Sequence, residues 1–296
     1  MIDNVHSKQS LARGGLVVAA LFWGSSPVAT RFLSYGQNTW TLLLFRFLPS
    51  TLVLAVIYLT LRKLPKFANW DFGRVALISL VGGLGYNGLV SAALIVSPAT
   101  PVGIALTTEP IWILLLEAMF GSRAFTKNLW VGMLLAFLGT LMATLSTNAP
   151  SNRVALGVLL AVLATLSWAI YTVAGSNWRS SSLDKTSFMV LFSTPVAVIA
   201  SMIVGFGNQI SYRSAVVVAI LSLSVGSTVV AMTFWNFGTA HLGARLSAPF
   251  LYLQPASTIA LSMILLHEPI GVLQVLGLLI IVFGLIITQR NQAYKA

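Results

Sequence analysis

Ten apolar runs, each long enough to cross a lipid bilayer, follow one another through this chain: residues 14–33, 38–61, 73–96, 98–120, 127–146, 156–177, 186–206, 213–236, 243–265 and 270–288. A helical crossing of the hydrocarbon core takes about 20 apolar residues, so each run fits one span. The breaks between them carry turn formers and charges: "SYGQN", "RKLPKFANWD", "VSPAT", "GSRAFTK", "TNAPSNR", "WRSSSLDK", "GFGNQISYR", "GTAHLGAR" and "LLHEPIG". None has room for a soluble domain. Charged residues make up 8% of the chain, against about 25% in soluble domains, too few to cover a water-exposed surface. The chain is therefore expected to be an all-α integral membrane protein with ten transmembrane helices.

The basic residues set the orientation. A formal net charge of +11 would in a soluble domain point to nucleic acid. Here the basic residues sit singly between apolar runs, so no nucleic-acid partner is expected. With the N-terminus inside, thirteen Lys and Arg fall in cytoplasmic segments, among them Lys8, Arg13, Arg62, Lys63, Arg123 and Arg179, against Arg153 and Arg213 outside. That bias places both termini in the cytoplasm of a cell with an inner-membrane type bilayer, as in bacteria. Lys8 and Arg13 before the first run imitate a secretory signal, but the run has a counterpart in mid-chain and is expected to stay. With no cysteine in the chain, disulfides and thiolate metal sites are excluded.

That counterpart belongs to an internal repeat. Trp23 and Trp168, Pro110 and Pro255, Gly132 and Gly277, and Gly139 and Gly284 are each separated by 145 residues. "ALFWG" answers "TLSWA", "EPIWILLLEAMF" answers "QPASTIALSMIL", and "WVGMLLAFLG" answers "VLGLLIIVFG". Residues 1–150 and 151–296 are read as two five-span repeats. An odd number of spans turns the second repeat upside down, an arrangement that puts a binding site near the midplane and permits alternating access. A secondary transporter is expected.

Two halves of five spans, with "LFWGSSPVATR", "LLLFRFLPSTLVLA", "EPIWILLLEAMFG" and "WVGMLLAFLGTLMA" in the first and "LQPASTIALSMILLHEPIGVLQVLGLLIIVFGLII" in the second, resemble the drug/metabolite transporter superfamily, specifically its ten-span EamA-type members. Within it the chain is similar to the YddG-like bacterial exporters of aromatic amino acids. The resemblance covers nearly the whole chain, and its motifs define the fold better than the substrate. Ser122 and Arg123 stand where the second half has His267 and Glu268, so the acidic turn of the family pattern is missing from the first half.

The stretch "LTTEPIWILLLEAMF" sets Glu109 beside Pro110 half-way along the fourth run. A charge at the bilayer centre costs about 2.5–3.5 kcal/mol on insertion scales, so such groups face a cavity or a partner. Glu109 is a candidate contact for a substrate ammonium or a proton-coupling site; the alternative is a carboxylate neutralised by burial or paired with Arg46 for packing. Its charge at neutral pH depends on the balance of burial and nearby cations. Gln254 occupies the matching position of the second half. Pro110 and Pro255 each remove a helical hydrogen bond, leaving the carbonyls of Leu106 and Leu251 open to a ligand or making hinges. Trp23, Tyr86, Trp168, Tyr171 and Tyr252 fall inside runs rather than at the interfaces where aromatic belts sit. With Asn87 and Gln254 they are candidate pocket-lining residues, offering stacking faces and neutral hydrogen-bonding groups.

Other motifs fail on context. "GGLGYNG" contains the spacing of a dinucleotide fingerprint, but that motif requires a strand and a helix around it; in an apolar run it reads as close helix approach. His267-Glu268-Pro269 lacks the second histidine of a zinc motif, and no cofactor or metal is expected. Glu109 and Glu117 are too far apart for an acid–base pair, so an intramembrane enzyme, like a lipid flippase, is a minor alternative. The favoured function is a gradient-driven exporter of small organic metabolites, with aromatic and other neutral amino acids first. Proton coupling stays open. Lipophilic cations are the main alternative, since Glu109 among aromatics also suits them.

The charge bias makes a direct prediction. Single cysteines placed in the loops at 148–152 and 207–212 should react with an impermeant thiol reagent in sealed right-side-out cells, whereas cysteines at Asn4 and Ala293 should not. Labelling at either end from outside would invert the topology.

Overall fold

The computed structural model describes residues 2–67, 69, 71–120, 127–145, 151–208, 214–267 and 270–290, which hold helices and turns and no strand. The first helices are α1 (Ile2–Leu33), α2 (Thr39–Leu61) and α3 (Phe72–Leu80, continued by a π turn Val81–Gly85 into Tyr86–Val96). Next come α4 (Ala99–Leu106 and Glu109–Phe120) and α5 (Lys127–Leu145). The remainder are α6 (Ser151–Ala174), α7 (Ser182–Val204), α8 (Ser214–Leu221, a π turn Ser222–Val230 and Ala231–Ser247), α9 (Leu253–Leu261 with a π turn Ser262–Leu266) and α10 (Val272–Arg290). Among the described residues seven helices are long and apolar enough to cross a membrane, and Ser257–Leu266 and Val272–Gly284 are shorter apolar helices. The loops around Ser122–Arg123 and Glu268–Pro269 lie outside the described residues.

Local chemistry fixes the ends. The Asn38 side chain accepts from the Thr41 N–H, Asp71 from Arg74 and Ser181 from Asp184, each capping an otherwise orphaned helix-start donor. Gly205, at φ 89°, closes α7 in a conformation that side chains with a Cβ avoid. The break expected between residues 236 and 243 narrows to one residue. Helix α8 runs on past it, and the chain turns only at Gly243, with φ 82° and ψ 157°.

Burial runs opposite to that of a soluble protein. Leu59, Phe120 and Ile203 are 76%, 78% and 79% exposed, a cost of roughly 25 cal/mol per Å² in water that disappears in lipid. Inside, Phe47, Trp168, Met189, Met232 and Trp235 form the central packed cluster. Some buried hydroxyls hydrogen-bond to carbonyls: Ser50 Oγ donates to Arg46 O at 2.6 Å and Thr194 Oγ1 to Val190 O at 2.8 Å.

Small residues set how closely helices meet. In "GGLGYNG" a methyl on Gly82 would strike the Tyr171 ring of α6, and one on Gly83 would strike Ser193 of α7. Helices α5 and α10 pack through a reciprocal pair: Gly139 lies against the Gly277 carbonyl, and Gly284 against the Gly132 carbonyl and Leu135. Both bundle ends are tied by loops. At one, Gln37 Nε2 donates to Asn208 O (2.7 Å), Asn38 Nδ2 to Gly205 O (2.9 Å) and Asn208 N–H to Gly36 O (2.9 Å). At the other, Trp178 Nε1 donates to Phe67 O (3.1 Å), Ser180 Oγ to Lys66 O (2.7 Å) and Tyr58 OH to Asp184 Oδ1 (2.6 Å).

Gly139→Ala should destabilise the protein by about 1–3 kcal/mol, the usual range for overpacking, because the new methyl meets backbone. Gly14→Ala is the control, since nothing lies within 4 Å of the added carbon. Thermal unfolding of both in detergent checks this; an unshifted midpoint for Gly139→Ala would contradict the packing.

Candidate functional site

The site begins where helices break. In α4 the first segment ends at Leu106 and the second starts at Glu109, so "TTEP" is a junction. The Thr107 and Thr108 hydroxyls donate to the carbonyls of Ile104 (2.6 Å) and Ala105 (2.9 Å), and their N–H groups reach the same acceptors. Carbonyls at a membrane-depth break are thereby satisfied inside the protein, as hydrocarbon requires. Pro110 is second in the restarted segment, where the missing N–H has no helical partner to lose. Pro255 is third in Leu253–Leu261, after the 3-10 turn Ala248–Tyr252. Both prolines thus open half-helices instead of kinking continuous ones. Leu106 and Leu251, whose carbonyls the prolines were expected to free, line one small pocket together with Gln254.

The main cavity lies between helices of both halves of the chain. Helix α1 contributes Trp23, Ser26 and Pro27, a set at helical spacing on one face. Helix α2 gives Arg46, α3 gives Tyr86, Asn87 and Val90, and α4 gives Leu106. From the second half come Trp168 of α6, Met189 of α7, and Ser227, Thr228 and Met232 of α8. The cavity's volume is about 20 Å³, room for one or two waters, so the site is contracted.

Aromatic contacts organise the cavity. Trp23 meets Trp168 edge to face, with centroids 5.1 Å apart, a favoured geometry. Tyr86 approaches Trp168 at 5.1 Å, Trp235 lies 5.5 Å from Trp23, and Tyr171 stacks on Trp168 at 5.4 Å. The two tryptophans differ in their polar handles. Trp23 Nε1 donates to Ser227 O at 2.8 Å, while the buried Trp168 Nε1 has no partner.

Of the residues singled out in the sequence, Trp23, Tyr86, Asn87 and Trp168 come together in the cavity wall. Asn87 donates to Gly83 O at 2.8 Å, which leaves its carbonyl oxygen to accept. Tyr171 stands behind Trp168 and donates to Asn236 Oδ1 at 3.2 Å. Gln254 lines the smaller pocket, which shares Pro27 and Leu106 with the cavity. The side chains of Tyr252 and Pro255 lie outside the described residues. Glu109, 1% exposed, is not in the cavity wall. Its carboxylate neighbours Tyr86 of the cavity and Gln254 of the smaller pocket, and its Oε1 has no hydrogen-bond partner. It does not pair with Arg46, whose guanidinium donates to Ser26 Oγ and to Thr228 Oγ1 (3.3 Å).

Sequence reading passed over Ser26, Ser227, Thr228, Met189 and Met232, because serine, threonine and methionine are common on apolar helices and give no signal of facing a cavity. Arg46 did give one. A cation inside an apolar run marks a site as strongly as a carboxylate does.

Comparison with known proteins places this architecture. The EamA-like transporter family model matches twice, over residues 14–145 and 155–290. A protein of Archaeoglobus fulgidus described as an uncharacterized transporter is 22% identical, covering 94% of this chain and 96% of that one. The Bacillus subtilis uncharacterized transporter YrdR is 26% identical over 94% of this chain and 92% of its own. A solved crystal structure superposes with a TM-score of 0.72 at 18% identity, covering 98% and 99% of the two chains, which shows a shared fold. The chain belongs to the EamA-like transporter family, and it is a multi-pass membrane transporter rather than an enzyme.

Proposed function

We propose that this protein is a secondary transporter that exports small organic solutes across the bacterial inner membrane by alternating access, with aromatic and other neutral amino acids as substrates. The observation that carries the reading is the cavity in which Trp23 and Trp168 meet, walled by rings and tipped with neutral hydrogen-bonding groups. Such a wall suits an apolar ring bearing a few polar atoms. The earlier resemblance to YddG-like exporters agrees with it. Residues 1–150 and 151–296 act as inverted five-span repeats, ten spans in all, with both termini cytoplasmic. Supporting this are the family match in each half and the reciprocal Gly139–Gly277 and Gly284–Gly132 packing. The loop ties at opposite ends would then be the outer and inner gates, and the contracted cavity is the state with both engaged. Lipophilic cations are disfavoured, because Arg46 lines the cavity and would repel them.

Within this reading Glu109 carries the coupling proton. It is buried, it neighbours Tyr86 of one pocket and Gln254 of the other, and it lies outside the wall that a solute would contact. Glu109→Gln in proteoliposomes should leave amino-acid counterflow intact and abolish dependence on a pH gradient. Weaker binding at every pH would instead make it a solute contact, and lost thermal stability alone would make it structural.

Trp168→Phe tests the pocket. The change keeps a ring in place and removes an N–H that has no partner in the protein. Stability should stay within about 1.5 kcal/mol of wild type, as for conservative core swaps, while affinity for an aromatic amino acid falls. Unchanged affinity, measured by thermal shift or counterflow, would remove Trp168 from the site.

A further inference from the structure

Among the described residues the cavity wall contains one formal charge, and it is positive. Arg46 is 6% exposed and lines the cavity beside Trp23, Tyr86 and Trp168. Its hydrogen-bond partners, Ser26 and Thr228, are neutral hydroxyls. The titratable group facing it is the Tyr86 phenol. The nearby buried carboxylate, Glu109, is turned to Tyr86 and Gln254 and stays out of the wall. A guanidinium withdrawn from water needs an opposite charge and saturated donors to offset its desolvation. Two hydroxyls supply neither in full, since a guanidinium carries five N–H donors in a planar fork.

Resting on the aromatic-solute reading above, we propose that the transported molecule brings the missing anion: Arg46 anchors its carboxylate, and that carboxylate is the obligatory element of recognition. The geometry of the fork matches two carboxylate oxygens. The rings of Trp23, Tyr86 and Trp168 receive the apolar part. Among the described wall residues an ammonium has the Asn87 carbonyl and hydroxyl oxygens to meet and no carboxylate, so it is accepted but not required. The substrate class is therefore aryl carboxylates, with or without an amino group.

The test compares three probes in counterflow with proteoliposomes: phenylalanine, 3-phenylpropionate, which lacks the amino group, and 2-phenylethylamine, which lacks the carboxylate. Wild type should exchange the first two and not the amine. Arg46→Gln should lower exchange of both acids by about tenfold or more, the scale of a lost charge-assisted hydrogen-bond pair. Arg46→Lys, which keeps the charge without the fork, should retain more exchange than Arg46→Gln. Thermal shift of each purified variant, with and without 3-phenylpropionate, separates lost binding from lost folding. If Arg46→Gln does not fold, the wild-type panel and Arg46→Lys still decide. Exchange of the amine as fast as phenylalanine overturns the proposal, as does a folded Arg46→Gln that moves both acids normally. Exchange of phenylalanine but not of 3-phenylpropionate also overturns it while leaving the aromatic amino-acid reading intact. Exchange of none of the three overturns both.

Discussion

Hydrocarbon offers no hydrogen bonds, and the rest of this structure depends on that absence. Backbone groups must be satisfied within the chain, which leaves helices as the natural form for its apolar runs. Where a helix is broken, side chains have to finish the job. At the α4 junction the Thr107 and Thr108 hydroxyls take up the carbonyls that the break releases. Similar local bonds by Ser50 and Thr194 let polar residues sit among apolar helices without exposing an unpaired group.

The same constraint concentrates function in a small volume. Groups left incompletely partnered in so dry an interior are costly, and some of them stand at one cavity. Trp168 Nε1 and Glu109 Oε1 lack partners, and Arg46 faces only hydroxyls and a phenol. These groups lie at or beside one cavity assembled from both halves of the chain. In a transporter such under-satisfaction is useful. On the proposed transport reading the site is incomplete without a solute, so occupancy would bias one conformation over another.

Close helix approach supplies the second requirement, which is rigid elements that move as units. Gly82 and Gly83 bring α3 against α6 and α7, and the Gly139–Gly277 and Gly284–Gly132 contacts join α5 to α10. By contrast, the loop ties at the two ends rest on a handful of exposed or half-exposed hydrogen bonds. Bonds of that kind contribute about 0.5–1.5 kcal/mol each, small enough to break and remake in a transport cycle.

Much of the architecture could be read directly from the residues. Run length, scarcity of charge and the 145-residue spacing of Trp23 and Trp168 pointed to a helical membrane protein with an internal repeat; that the two indole rings meet is a property of the fold. These features are legible because they are one-dimensional: span length follows from bilayer thickness, and a repeat shows as a constant offset. The sequence also determined that Glu109 and Arg46 were unusual, since a charge in an apolar run is expensive wherever it points. Only the tertiary structure decided which of the two faces the cavity. Glu109 turns to Tyr86 and Gln254, Arg46 turns inward, and Pro110 and Pro255 begin half-helices. Those outcomes depend on which helix is each residue's neighbour across the bundle, and on the rotation of each helix about its own axis. Neither quantity is written in the order of residues along one strand of chain; both are set by how small residues let the helices pack.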